Sequence, residues 1–186
     1  MKILLTEEQI QDRVRQLAGE VHAKFRSQET TEIVVVGILT GCLMFLADLV
    51  RGLELPMQIG FVQAHSYRGK STSAGEFEFQ IRGLPDVANR HVVLVDDIFD
   101  SGQTLRRLAA EIEALQPASL LTAVLLAKQV ARPDEFRPDL VGFEIPPEFV
   151  VGYGLDFDGR YRNLPYIGVL DGESESAAAS REEPVP

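Results

Sequence analysis

The fold is decided by the stretch Val92-Val93-Leu94-Val95-Asp96-Asp97-Ile98-Phe99-Asp100-Ser101-Gly102-Gln103-Thr104. Its four leading apolar residues predict a buried strand of a parallel sheet, which two adjacent carboxylates close. A third carboxylate, Asp100, follows in a short turn, and apolar residues then recur at helical spacing from Leu105 to Leu115. The stretch therefore predicts a strand, an acidic turn, a loop with glycine and hydroxyl groups, and a helix.

The turn between this strand and this helix suits both an anion and a sugar. The helix N-terminus, the open backbone at Gly102 and the hydroxyls of Ser101 and Thr104 offer donors to a phosphate. The carboxylates suit vicinal sugar hydroxyls or a position near a magnesium ion. The alternative is an ordinary strand-to-helix turn with a capped helix. Three carboxylates within five residues repel one another, however, so this arrangement is unfavourable in a turn without a function.

In order, spacing and flanking structure, this stretch resembles the phosphoribosyl diphosphate (PRPP) motif of type I phosphoribosyltransferases. The resemblance implies that Asp96 and Asp97 hold the ribose hydroxyls, and that Asp100 is the general acid/base for a proton of the purine ring. The family often has glutamate at the position of Asp96, which is one methylene shorter. The residues implied to bind the 5′-phosphate are Ser101, Gly102, Gln103 and Thr104.

Length and composition indicate one ordinary globular domain. The 186 residues are 45% hydrophobic and 25% charged, which is typical of soluble proteins. A formal net charge of −10 argues against a general nucleic-acid binder but not against an anionic substrate held by local donors and a cation. The single cysteine, Cys42, excludes an intramolecular disulfide, suits a reducing cytoplasm and is expected in the core.

The N-terminal segment predicts a helix rather than a targeting sequence. Thr6-Glu7-Glu8-Gln9 has the pattern of a capping box, and apolar residues from Ile10 to Phe25 then mark one helical face. The five residues before Thr6 are too few for a signal peptide, and no apolar run approaches the length of a membrane span. We therefore expect no membrane partner.

A second buried strand, Glu32 to Leu39, leads into the break Thr40-Gly41 and a helix that ends near Gly52. A plain tight turn is one interpretation. The surrounding residues resemble the pyrophosphate loop of hypoxanthine-guanine phosphoribosyltransferases, which implies that Leu39, Thr40 and Gly41 bind pyrophosphate and that the Leu39-Thr40 peptide is cis. Some members carry lysine where this chain has Thr40, so pyrophosphate contact here would depend more on backbone donors and metal.

A third strand, Met57 to His65, precedes a small, polar and basic stretch that extends to Gly75. This composition predicts a mobile surface loop. The pair Ser66-Tyr67 resembles the flexible catalytic loop of the same family, which implies a lid that closes over the site. A connection without a role is the alternative.

Two C-terminal segments complete the resemblance. Lys128 closes the apolar strand that starts at Ser119; it either extends to solvent or, as the resemblance implies, donates to the purine 6-oxo group. Residues 141–156 resemble the hood of hypoxanthine-guanine phosphoribosyltransferases. The roles implied there are purine stacking by Phe149, a backbone contact to the base from Val150, magnesium ligation by Asp156 together with Asp96 and Asp97, and pyrophosphate binding by Arg162. Core packing of Phe149 and a surface ion pair of Arg162 are the alternatives.

Alternating strands and amphipathic helices predict an α/β fold whose mainly parallel twisted sheet has helices on both faces. The resemblance implies a type I phosphoribosyltransferase fold with a small hood. We expect one domain over residues 1–171, with the hood built from its N-terminal and C-terminal segments. Residues 172–186 contain almost no large apolar side chains and are expected to form a disordered acidic tail.

The resemblance implies a cytoplasmic purine salvage enzyme that transfers phosphoribosyl from PRPP to hypoxanthine or guanine. Its products would be IMP or GMP and pyrophosphate, its cofactor magnesium, and its assembly a homodimer or homotetramer. An RNA-binding regulator of the same fold would need a basic face, against which the acidic balance argues. A PRPP-binding subunit without turnover is a third hypothesis.

Overall fold

The structure is a computed structural model that describes residues 1–26, 32–66, 77–80, 84–130 and 136–170. The expected loop from Ser66 to Gly75, apart from Ser66 itself, and the expected acidic tail, residues 172–186, lie outside the described residues. The described elements are β1 (Lys2–Leu5), α1 (Glu7–Arg26), β2 (Ile33–Leu39), α2 (Leu43–Arg51), β3 (Met57–Ser66), β4 (Phe77–Gln80), β5 (His91–Phe99), α3 (Gln103–Ala114), β6 (Ser119–Lys128), β7 (Leu140–Ile145), β8 (Val150–Val151) and β9 (Ile167–Val169).

The main sheet has six strands in the order β4-β3-β2-β5-β6-β7, and every neighbouring pair is parallel except β3 and β4. Because side chains alternate along a strand, β5 supplies two cores. Val93 and Val95 pack with residues of α1 and α2, whereas Val92 and Leu94 pack with residues of α3. This confirms the predicted parallel sheet with helices on both faces.

The central strands β2 and β5 form the switch point of the sheet. From β2 the chain runs through α2 to β3 on one side, and from β5 it runs through α3 to β6 on the other. The loops that follow β2 and β5 therefore diverge and leave a crevice at the carboxyl ends of the strands, which is where open α/β sheets bind ligands.

The N-terminus contains the predicted capping box and, before it, a strand that the sequence pattern did not predict. The capping box is confirmed, since the Thr6 amide donates to Gln9 Oε1 at 2.9 Å and the Gln9 amide donates to Thr6 Oγ1 at 3.3 Å. The preceding strand β1 pairs antiparallel with β9, which pairs with β8 in a second, three-stranded sheet. Four residues are too few to show alternation, so the pattern did not predict β1 as a strand.

Two boundaries differ from the sequence prediction. The carboxylates Asp96 and Asp97 lie inside β5 rather than at its end, because Ile98 and Phe99 continue the ladder with β6. The first part of the expected hood is instead β7, the edge strand beside β6 in the main sheet. None of the helices within the described ranges combines the length and the apolar character that a membrane crossing requires.

Candidate functional site

A pocket of about 360 Å³ lies between the carboxyl ends of β2 and β5. It unites segments that are far apart in the sequence: the loop after β2, the acidic end of β5, the start of α3 and the loop after β8. Most of the predicted site residues line it, namely Leu39, Thr40, Gly41, Asp96, Asp97, Asp100, Ser101, Gly102, Thr104, Asp156 and Arg162.

The acidic pair forms the floor of the pocket. Asp96 is 7% exposed, and its Oδ1 accepts a hydrogen bond from the Asp97 amide at 3.0 Å. Asp97 Oδ1 accepts from the Ile98 amide at 2.8 Å. Burial raises the pKa of both carboxyls, and the neighbouring Asp97 charge raises that of Asp96 further. The pair therefore favours bound groups that neutralise it or donate to it, such as a cation or vicinal hydroxyls.

The loop after β2 presses against this pair. A Cβ atom on Gly41 would overlap Asp97 Oδ2, so only glycine leaves room for the carboxylate. The preceding Leu39-Thr40 peptide is cis, as the resemblance implied. Thr40 is exposed at the pocket wall. On this side the lining of the pocket thus includes Gly41, which has no side chain, and the short, uncharged side chain of Thr40.

The loop after β5 opens the N-terminus of α3 toward the pocket. Gly102 precedes α3 with φ +77°, and a Cβ there would lie 2.7 Å from the Phe99 ring. The Gln103 amide donates to Ser101 Oγ at 3.4 Å, and Thr104 in the first helical turn lines the pocket. A helix start combined with hydroxyl groups makes this end of the pocket suitable for a phosphate.

Lys128 reaches the site from the neighbouring strand. Phe99 pairs with Ala127 in the ladder between β5 and β6, so Asp100 and Lys128 leave the sheet side by side. Lys128 Nζ lies 2.8 Å from Asp100 Oδ2. The lysine side chain is 14% exposed and that of Asp100 is 53% exposed. The lysine lies outside the lining of the pocket, but its charge is directed to Asp100 in that lining rather than extended into solvent.

Arg162 and Asp156 form the opposite wall. An Arg162 nitrogen lies 2.7 Å from Asp156 Oδ1, and another donates to the Gly154 carbonyl at 2.6 Å. Asp156 Oδ2 accepts from the Gly159 amide at 2.8 Å. The alternative of an ion pair is thus correct in geometry, but the pair lines the pocket. The Arg162 guanidinium thus lines the same pocket as the acidic pair Asp96 and Asp97, and a charged ligand would bind between them.

Comparison with known proteins identifies the family. The family model of the phosphoribosyl transferase domain matches residues 2–158. The chain belongs to the phosphoribosyltransferase family. It is 39% identical over 170 residues to the hypoxanthine-guanine phosphoribosyltransferase of Bacillus subtilis (strain 168), covering 91% of this chain and 92% of the relative. It is 38% identical over 166 residues to the hypoxanthine phosphoribosyltransferase of Haemophilus influenzae, covering 89% and 93%.

Solved structures agree with this family. A variant of the hypoxanthine phosphoribosyltransferase of Trypanosoma cruzi in a ternary complex with substrates has a TM-score of 0.87 at 36% identity, covering 94% of this chain and 97% of that one. Another structure of the T. cruzi enzyme has a TM-score of 0.90 at 35% identity, covering 97% and 96%. The predicted type I phosphoribosyltransferase fold and the enzyme class are therefore confirmed.

Phosphoribosyltransferases generally need a divalent metal ion. Within the described part of this phosphoribosyltransferase, no three histidine, cysteine or acidic side chains converge as a metal cage. Asp96, Asp97 and Asp156 line one pocket without forming such a group. This donor set fits magnesium, which takes one or two carboxylates and fills its remaining positions with water and substrate phosphates.

Other predicted residues lie outside the pocket lining. Phe149 is 45% exposed, so its alternative role in core packing is wrong. Its ring meets that of Phe157 edge-on at 5.6 Å, while the adjacent Val150 is buried in β8. Ser66 ends β3 and Tyr67 lies outside the described residues, so the lid stays a prediction.

Sequence reasoning missed Phe157, Tyr153 and Asp48, which hold parts of the hood. The Tyr153 hydroxyl donates to Asp48 Oδ2 at 2.6 Å across 105 residues of sequence. Neither local periodicity nor a short motif signals a contact of that separation. The one available signal was the pair of glycines that flank Tyr153, which indicates an unusual backbone there.

Proposed function

We propose that this phosphoribosyltransferase transfers the 5-phosphoribosyl group of PRPP to hypoxanthine or guanine in purine salvage, giving IMP or GMP and pyrophosphate. The observation that carries the proposal is the pocket at the switch between β2 and β5. It places an acidic pair, a helix N-terminus and an arginine around one space. The names of the relatives, hypoxanthine and hypoxanthine-guanine phosphoribosyltransferases, support the choice of base.

The sugar and its phosphate are assigned to the β5 side. Asp96 and Asp97 accept hydrogen bonds from the two ribose hydroxyls, which removes part of the penalty of burying two adjacent carboxylates. The 5′-phosphate sits on the backbone amides and hydroxyls at the start of α3. The residues assigned to it are Ser101, Gly102, Gln103 and Thr104.

Pyrophosphate is assigned to the β2 side, over the backbone of Leu39, Thr40 and Gly41, with Arg162 above it. Arginine presents a planar fork of donors that matches phosphate oxygens. Thr40 carries no charge, so the backbone amides and Arg162 take a larger share of the leaving group's charge. Magnesium, held by Asp156, Asp96 and Asp97 together with substrate oxygens, would neutralise the departing pyrophosphate.

The reaction is a substitution at the anomeric carbon. A purine ring nitrogen forms the new bond to that carbon, the bond to the pyrophosphate oxygen breaks, and the proton of the purine leaves for Asp100. Because the ribose becomes cationic in the transition state, positioning contributes more than a strong nucleophile. Lys128, 2.8 Å from Asp100, donates to the 6-oxo group. The exposed ring of Phe149 stacks on the base, and the Val150 backbone contacts its edge.

A homodimer or homotetramer in the cytoplasm completes the proposal. Large apolar side chains are exposed on β3, where Ile59 and Phe61 are each 43% exposed, and at the start of α2, where Leu43 is 43% exposed. Burying such residues against a second copy would stabilise an assembly. Light scattering on the purified chain gives the subunit number, and a monomeric mass would contradict this part of the proposal.

The function is tested by one assay. The purified protein is incubated with magnesium, PRPP and either hypoxanthine, guanine, xanthine or adenine, and nucleotide and pyrophosphate are measured. We expect equal amounts of nucleotide and pyrophosphate with hypoxanthine or guanine. PRPP binding without product would instead support a subunit without turnover, and binding of RNA without turnover would support the regulator. Either result refutes the proposed reaction.

A further inference from the structure

We propose that Tyr153 and Asp48 are positioning residues that hold the hood against the pyrophosphate side of the pocket. Asp48 lies on α2, which follows the loop of Gly41, and Tyr153 lies in the hood loop that precedes Arg162. Their 2.6 Å hydrogen bond therefore joins the two segments to which pyrophosphate is assigned. This inference rests on the proposed function.

The junction is built from three separate elements. Asp48 Oδ2 accepts from the Tyr153 hydroxyl at 2.6 Å and from Gln11 Nε2 of α1 at 2.8 Å. Asp48 Oδ1 lies 3.5 Å from Arg51, whose side chain is 80% exposed, so this third contact is weak. One carboxylate oxygen thus links α1, α2 and the hood.

The backbone around Tyr153 has the unusual shape that this contact requires. Tyr153 has φ +50° and is 5% exposed, between Gly152 at φ +100° and Gly154 at φ +102°. A residue with a side chain rarely adopts such a conformation unless its surroundings hold it there. The Tyr153 amide also donates to the Leu164 carbonyl at 2.8 Å, which fixes the loop from inside the hood.

Gly154, the residue after Tyr153, connects the hydrogen bond between Tyr153 and Asp48 to the pocket. A Cβ atom on Gly154 would overlap the Gly41 carbonyl, so the hood loop lies directly on the loop after β2. The Gly154 carbonyl accepts from Arg162 at 2.6 Å, and its amide donates to the Arg162 carbonyl at 3.0 Å. The placement of Gly154 therefore sets both the height of Arg162 above the pocket and the fit of the loop that carries Gly41.

The phenol remains a donor under assay conditions. Burial raises the pKa of Tyr153, and the hydrogen bond to Asp48 raises it further, so the hydroxyl stays protonated at neutral and mildly alkaline pH. The base contacts are anchored separately from this junction. Asp100 and Lys128 are carried by the ends of β5 and β6, and Phe149 and Val150 are held by hydrogen bonding to the segment of β9, since Val150 pairs with Val169 and the Phe149 carbonyl accepts from the Leu170 amide at 3.1 Å. Loss of the hydrogen bond should consequently affect pyrophosphate and PRPP, not the purine.

The test compares kinetic constants of Tyr153→Phe and Asp48→Leu with those of the native chain. Both variants remove the hydrogen bond. We expect KM for PRPP, and KM for pyrophosphate in the reverse reaction, to rise about tenfold in each, with kcat and KM for hypoxanthine within about twofold. Asp48→Asn keeps an oxygen where both donors converge, so it should restore both constants to within about threefold of native values.

Thr122→Val is the matched control for stability. The buried Thr122 hydroxyl donates to Asp139 Oδ2 at 2.8 Å, outside the lining of the pocket, so its loss should lower Tm while leaving every KM unchanged. If Tyr153→Phe does not fold, Gln11→Met, which removes only the second donor to Asp48, should raise the same two constants about threefold.

The inference is overturned if Tyr153→Phe, or Gln11→Met in its place, leaves KM for PRPP and pyrophosphate within about 1.5-fold of native values. It is equally overturned if KM for hypoxanthine rises by the same factor as that for PRPP. A native chain that forms no nucleotide refutes the proposed function instead, so the two failures are distinguishable.

Discussion

The two sides of the pocket are built in different ways. On the β5 side, the acidic pair and the phosphate loop lie within nine consecutive residues, 96–104, and the parallel ladder with β6 holds this segment as far as Phe99. On the hood side, Asp156 and Arg162 pair with each other, and the loop that carries them is held against the rest of the fold by the contacts of Gly154 with Gly41 and of Tyr153 with Asp48. One wall of the site is therefore formed by a single continuous segment of the chain, and the other depends on contacts between distant segments.

If the β5 side carries the chemistry, Asp100→Asn should have the largest effect. The amide cannot take up the purine proton, so kcat should fall on the order of 1000-fold while PRPP binding stays near the native value. Steady-state kinetics and calorimetry with magnesium and PRPP measure the two quantities. A kcat within about threefold of the native value would exclude Asp100 as the acid/base.

Gly41→Ala tests where the two sides meet. The added Cβ would overlap Asp97 Oδ2, so the loop or the carboxylate must move, and kcat/KM for PRPP should fall roughly 30-fold. Gly19→Ala is the matched control, because a Cβ at Gly19 in α1 meets nothing within 4 Å. Equal kinetics for the two variants would show that the contact between Gly41 and Asp97 does not shape the pocket.

Lys128→Ala probes the base end of the β5 side. Loss of the ammonium group removes the donor to the 6-oxo group and the ion pair with Asp100, so KM for hypoxanthine should rise about tenfold while KM for PRPP changes little. The exposed Lys2 of β1 provides the control variant Lys2→Ala. An unchanged KM for hypoxanthine would remove Lys128 from base recognition.

The smallest expected effect is a pH-dependent change in stability. Because the folded-state pKa of Asp96 is raised above its ordinary value of 3.8, the folded chain binds more protons than the unfolded chain above that pH. Stability contributed by this group is therefore lost as pH rises from about 4 through the raised pKa.

Asp96→Asn removes this penalty. The Tm of the variant minus that of the native chain should consequently grow by a few degrees, roughly 3 °C, between pH 4 and pH 8 in the absence of magnesium and PRPP. Thermal melts at stepped pH measure the difference. A constant difference across this range would show that the buried pair carries no proton linkage to folding.

The β5 side and the hood side also differ in how far the sequence predicted them. The apolar run before Asp96 and the helical spacing after Thr104 are local patterns, so the sheet, its helices and the β5 wall followed from them. The extent of β5 did not, because Phe99 belongs to the strand only through its pairing with Ala127.

The hood side depended on resemblance rather than on pattern. Asp156 and Arg162 have no local signature, and only likeness to a family placed them at the site. The glycines flanking Tyr153 indicated an unusual backbone but not its hydrogen-bond partner, and the ring contact between Phe149 and Phe157 had no signal in the sequence, because tertiary packing creates both contacts. Strand β1 was missed for a similar reason, since its pairing partner β9 lies at the other end of the chain.

The crowding at Gly41 constrains how this protein can diversify. A substitution at Gly41 must displace the half-buried carboxylate of Asp97, whereas the neighbouring Thr40 is exposed and leaves space for other side chains. Charge at the mouth of the pocket can therefore be tuned by exchanging residue 40 while the backbone beneath it stays fixed. A lysine introduced there would offer protein engineers a handle on affinity for anionic leaving groups without redesign of the catalytic floor.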